Sequence, residues 1–231
     1  MMKLSGFLAT LGVCCLLVSS SRAADDYKAA AAEQALPDEV GAEIGKLMAP
    51  KATKVTNGKR TLCEIWLRNA VPVQTDFAPS DTVLYPFEPG QLVGVIRFPR
   101  KITDFRNQEI AAGVYTLRYG LQPVDGNHVG TSETRDFLLL SPAREDKDPA
   151  KLEMEGLYKF SRDAAETTHP AIMPLRALSP DLEPEKVPAM VHEDAGELWS
   201  VIVKATTTTG SSDDQKESKL LQFIVVGHAA E

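Results

Sequence analysis

Cysteine is nearly absent from this sequence. Three occur in 231 residues, at Cys14, Cys15 and Cys63, and the first two lie inside an apolar run at the N-terminus. No pair remains to brace a folded domain, so stability has to come from an ordinary core. The short patterns that announce familiar chemistry are missing too. There is no Gly-rich phosphate loop, no Gly-x-Ser-x-Gly elbow, no His-Glu-x-x-His and no Cys-x-x-Cys, which removes the usual nucleotide, hydrolase and zinc signatures. Basic charge is in deficit, with 25 Lys and Arg against 32 Asp and Glu. That balance opposes non-specific attraction to nucleic acid or to an anionic membrane surface.

No apolar run reaches the length of a membrane span. Leu4 to Val18 holds 15 residues, short of the ~20 a spanning helix needs. Lys3 precedes it and Ser21-Arg22-Ala23 follows, so residues 1–23 read as an export signal cut after Ala23. Val13 stands before Cys14, where lipid attachment would need a small residue. Removing the signal takes away Cys14, Cys15, Lys3 and Arg22, which leaves one cysteine and makes the balance more acidic. The expected destination is the periplasm or the exterior, with no membrane span after cleavage.

The alanine-rich stretch 24–35 has little to bury and reads as a mobile leader. Val40, Ile44 and Leu47 follow at helical spacing, which predicts a short helix weakened by Gly41 and Gly45. Together, 24–58 form a flexible leader with one short helix, and 59–231 a single domain.

From Arg60 the period changes to two. Cys63, Ile65 and Leu67 share one face of a strand; Leu92 to Phe98 forms another; Phe137 to Leu140 suits a strand buried on both faces. The clearest alternation is Val114 to Gln122, with Tyr115, Leu117, Tyr119 and Leu121 toward the core and Thr116, Arg118 and Gln122 toward water. Trp199 to Lys204 and Leu220 to Val226 pair as a hairpin whose Thr206 to Ser218 tip is exposed and mobile. A helix capped by Asp148 runs to about Asp163. Five prolines between Pro170 and Pro188 predict an extended crossing without regular structure. The whole reads as a mainly β fold, an antiparallel β-sandwich of six to seven strands with two or three short helices.

Few residues offer chemistry. Cys63 lies on an apolar strand face and reads as a buried thiol. His192-Glu193-Asp194 reads as an acidic turn, and Trp66 and Trp199 as core or as an aromatic platform for sugars. The densest stretch is Gly113 to Leu140, whose loop carries Asp125, Asn127, His128, Arg135 and Asp136. Asp125-Gly126-Asn127 is a turn signature. The same side chains, converging with His169, offer oxygens to a hard cation or an imidazole to a transition metal. Arg135 opposes a bare cation site unless it pairs with Glu133 or Asp136.

The segment from Gly113 to Gly130, with Arg135-Asp136-Phe137 and Thr168-His169-Pro170, resembles a group of uncharacterised secreted bacterial β-rich proteins. The group has no assigned activity, so the resemblance implies export and a self-contained domain. Ala112 to Leu117 is also similar to the Gly-x-Tyr-x-Leu strand of many extracellular β-sandwich modules. The function expected is an exported, non-catalytic binding or accessory module of the envelope or exterior, with a protein or glycan partner and no cofactor. The alternative is a metal-binding protein or metal-dependent hydrolase using the Asp125–Asp136 loop.

Overall fold

The computed structural model describes residues 26–125, 132–194, 196–209 and 216–229. Residues 1–23, expected to be an export signal, and Asn127 and His128 lie outside these. The elements run β1 (Tyr27–Ala32), α1 (Ala42–Gly45), β2 (Ala52–Asn57), β3 (Arg60–Leu67), β4 (Val71–Pro72), β5 (Leu92–Phe98), β6 (Ile102–Thr103), β7 (Glu109–Ile110) and β8 (Gly113–Leu121). After the loop come β9 (Asp136–Pro142), α2 (Met154–Ala165), β10 (Ile172–Arg176), β11 (Ala189–Glu193), β12 (Leu198–Thr208) and β13 (Lys216–Val226).

The fold is mainly β, as the two-residue periods imply. It is not a simple sandwich of six or seven antiparallel strands. Ten strands form one continuous path, β1-β2-β3-β5-β8-β9-β10-β13-β12-β11, antiparallel throughout, and β4 joins β12 in parallel. The path curls until its end strands, β1 and β11, touch. At that seam Tyr27 of β1 meets Trp199 of β12 with ring centroids 5.0 Å apart.

Continuity comes from β10. Its residues Ile172–Pro174 pair with β9, and Leu175–Arg176 pair with β13. Pro174, which has no N–H to donate, stands where the strand changes partner, a position that tolerates proline within a sheet. The proline-rich crossing is therefore only partly irregular, because it contains β10 and a 3-10 turn at Pro184–Lys186, and β11 begins directly after Pro188. The alanine-rich leader differs as well. Tyr27–Ala32 pairs along β2 from Tyr27↔Asn57 to Ala32↔Ala52, with its residues exposed or half-buried. The hairpin strands also extend further than expected, with Thr206↔Ser218 and Thr208↔Lys216 paired.

The inner face holds the main core. Cys63, Ile65 and Leu67 of β3, Tyr115, Leu117 and Tyr119 of β8, Leu138 and Leu140 of β9, and Val201, Phe223 and Val225 of β12 and β13 form one cluster. This is the burial pattern that alternation dictates. The outer face is covered in patches. Val40, Ile44 and Met48, in and beside α1, pack on Trp66, Leu92, Val95 and Val114. Leu157 of α2 packs on Phe137 and Leu139 of β9.

Between these patches Thr116 and Arg118 were expected to face water, yet both are fully buried. The reason is the segment after β9, which folds back over β8. Arg118 Nε and Nη2 donate to the Asp146 carboxylate at 2.6 and 2.8 Å, and Nη1 donates to the carbonyls of Gly90 (2.9 Å) and Ala150 (2.7 Å). Nη2 also donates to the Asp148 carbonyl. Thr116 donates to Asp146 at 2.5 Å. All five guanidinium N–H groups are thus satisfied. Asp148, spent on Arg118 and on the Ala150 amide, does not cap a helix, and α2 begins later, at Met154.

One glycine is required by this arrangement. Gly90 has φ of +88°, and a Cβ there would lie 1.8 Å from the Leu152 carbonyl oxygen. Gly90 and Leu152 are joined by a 3.1 Å backbone hydrogen bond.

Removing the Asp146 carboxylate strands a buried guanidinium. Asp146→Ala should lower unfolding free energy by about 3–5 kcal/mol, read from the urea midpoint at unchanged m-value. A loss under about 1 kcal/mol would mean that water reaches Arg118.

Candidate functional site

Of the loop residues singled out by sequence, the described Arg135 and Asp136 are each engaged within the fold. Asp136 is fully buried and serves as an anchor. Its carboxylate accepts hydrogen bonds from the amides of Leu84 (2.8 Å) and Tyr85 (3.3 Å) and from the Tyr119 hydroxyl (2.5 Å). Burial holds its pKa above the ordinary carboxylate value against those three bonds. Burial likewise pushes the Tyr119 phenol up, and that of Tyr85 to about 12. Arg135 donates from Nε to the Gln122 carbonyl at 2.9 Å, while the Gln122 amide donates to the Arg135 carbonyl at 2.8 Å. These bonds close the neck of the loop.

Glu133 pairs with Arg176 at 3.1 Å and not with Arg135. His169 is exposed, in a turn where its amide donates to the Thr167 hydroxyl. Asp125 is exposed at the loop's rising end, and Asn127 and His128 lie outside the described residues. Among the described residues no three His, Cys, Asp or Glu side chains come together as a metal-holding group.

Other candidates are placed more simply. Cys63 is fully buried, and burial pushes its thiol well above the usual range. Trp66 is buried and donates to the Gln34 carbonyl at 3.0 Å. Trp199 is half-buried, stacked on His192 with centroids 4.3 Å apart, so the two tryptophans make no shared platform.

The feature best formed to receive a ligand is a groove on the outer face of β8, β9 and β10, of about 270 Å³. Leu121, Phe137, Leu139 and Ile172 form its floor, and Phe105 and Tyr158 of α2 its sides. Arg106, Asn107 and His228 stand on its rim, all exposed. Gly120 leaves the floor open, because a Cβ there would lie 2.3 Å from Leu139 Cδ1.

A second buried carboxylate holds the rim. Asp104 Oδ1 accepts the amides of Arg106 and Gln108, each at 2.9 Å, and Oδ2 accepts the amide of Ile172 and the side-chain amide of Gln108, each at 3.0 Å. Burial still leaves its pKa raised. Asn107 takes a positive φ of 59° to close this turn, a conformation Asn tolerates. The C-terminal tail is tied to the same loop through the Ala229 amide and the Phe105 carbonyl, 2.9 Å apart.

Sequence reasoning reached only the margins of the groove. Gln122 and Pro123, at the foot of the Asp125 loop, and Pro170, beside His169, do line it. Phe105, Arg106 and Asn107 went unrecognised, and Tyr158 was legible only as part of a helix stripe. Asp104-Phe105-Arg106-Asn107 is a turn signature with an aromatic at its centre, and that was the available signal.

Asp104→Ala should leave three amides short of an acceptor and cost about 1–3 kcal/mol. Hydrogen exchange should accelerate at Arg106, Gln108 and Ile172 while β12 and β13 keep their protection. Cys63 should resist iodoacetamide in the native state and react on denaturation, as read by peptide mass mapping; rapid native labelling would contradict its burial.

No family model, curated protein or solved structure matches the chain.

Proposed function

We propose that this chain is an exported, non-catalytic binding module of the cell envelope or exterior. Its ligand is a small amphipathic molecule with an apolar body and an anionic head. The observation that carries this reading is the 270 Å³ groove with an apolar floor, Leu121, Phe137, Leu139 and Ile172, and a cationic rim at Arg106. Concave, largely apolar sites with a few polar groups at the margin are the usual form of small-molecule sites. A glycan suits it less well, because sugar hydroxyls would face Leu139 and Ile172 without partners.

The signal-like residues 1–23 and the resemblance to secreted bacterial β-rich proteins support export. The metal-dependent alternative rests on Asp125, Asn127 and His128, since Asp136 is turned into the protein and engaged by Leu84, Tyr85 and Tyr119.

Titration with a fluorescent fatty-acid probe should show saturable binding at one site per chain. Ala229→Trp, which fills the groove, should abolish it. Arg106→Gln should weaken the acid probe about two- to fivefold and leave the matching alcohol unchanged. Failure of both probes to saturate, or indifference to Ala229→Trp, would remove the groove from consideration. Elemental analysis of protein purified without chelator, beside His128→Ala, should find no stoichiometric metal in either. Metal present in the first and lost from the second would favour the metal reading.

A further inference from the structure

A second pocket, of about 300 Å³, shares no residue with the groove and lies where β3 ends against the segment that carries Ala150. Its walls include Arg68, Pro72, Glu88, Gln91, Ala150 and Lys151. Arg68 follows β3 directly, and its backbone is fixed by an amide donating to the Val93 carbonyl at 2.9 Å. Its side chain is half-buried, and among the described residues it has no hydrogen bond and no ion pair.

The neighbouring groups do not supply a counter-charge. Glu88 is paired with Lys151 at 2.7 Å. Asp146 is shared by Arg118 and Thr116. Gln91 is engaged at both ends, donating to the Pro72 carbonyl at 2.6 Å and accepting the Glu88 amide at 3.0 Å. The Arg68, Arg118 and Asp146 group therefore carries one positive charge in excess. Burial, with repulsion from Arg118 added, lowers the pKa of Arg68. A partly desolvated cation without a partner is costly, and structures normally supply one.

We propose that this pocket binds a small oxyanion, a carboxylate or phosphate group, with the Arg68 guanidinium as its principal contact. A guanidinium presents parallel N–H groups that match either head in bidentate fashion. Lys151, at the same wall, adds a second cation whose carboxylate partner, Glu88, is exposed and exchangeable.

The test is calorimetric titration of the purified protein with inorganic phosphate and, separately, with acetate, at constant ionic strength set by chloride. At least one anion should bind saturably and raise the melting temperature; the stronger of the two identifies the head group. Arg68→Gln should weaken that binding at least about tenfold, Glu88→Gln should strengthen it, and Ala229→Trp, in the groove, should leave it unchanged. Should Arg68→Gln fail to fold, the ¹⁵N resonance of Arg68 Nε in the unaltered protein must shift with anion concentration. The proposal is overturned if neither anion saturates, if Arg68→Gln binds as well as the parent, or if the Nε resonance stays still. It is equally overturned if Glu88→Gln abolishes folding stability in step with Arg68→Gln, since Glu88 would then be the partner of Arg68.

Discussion

The buried Arg118 guanidinium is the interaction on which the outer half of the molecule depends. An unpaired cation in this position would be intolerable, and its five N–H groups reach Asp146, Gly90, Asp148 and Ala150. Those bonds lay the segment after β9 along the outside of β8. The segment then delivers Ala150 and Lys151 to the wall of the Arg68 pocket, and Leu152 to the Gly90 carbonyl. From there the chain enters α2, which covers β9 and raises Tyr158 at the side of the groove. Both candidate sites are thus positioned through one charge.

Asp104, Asp136 and Asp146 extend the same principle. Each is a buried carboxylate whose oxygens are filled by amides, hydroxyls or a guanidinium, and each joins an irregular segment to a strand. Asp136 ties the Leu84–Tyr85 segment to β9, Asp104 ties the rim loop to β10, and Asp146 ties its own segment to β8. A carboxylate so occupied organises loops and is not offered to a ligand. Arg68 stands in contrast, as a half-buried charge whose side chain has no hydrogen bond or ion pair among the described residues. The distinction between satisfied and unsatisfied buried charge locates a site more sharply than residue type does.

That distinction explains what could be read in advance. Strands β3, β5, β8 and β9 and the β12–β13 hairpin were legible because their apolar side chains alternate or run together. β1 was not, since Tyr27–Ala32 draws its order from pairing with β2 and from Trp199 across the seam, which no local pattern encodes. β10 was hidden by Pro174, because the argument against proline in a sheet fails where a strand changes neighbours. The burial of Thr116 and Arg118 was equally invisible, as it is imposed by a segment some 30 residues later. Alternation revealed the polar face of β8 but not what lies over it.

The loop between β8 and β9 gains a different meaning from the same geometry. Its ends are fixed by the reciprocal bonds between Gln122 and Arg135 and by Asp136 beneath them. Gln122 and Pro123 lie on the wall of the groove, so the chain departs from the groove edge toward Asp125. Arg135 and Asp136, part of the concentration of polar residues in this stretch, therefore answer to the closing of a tight neck. The stretch marks the groove by its position beside the floor of β8 and β9, and under the proposed function recognition of the ligand would fall to the apolar side chains of those strands and to Arg106 on the rim.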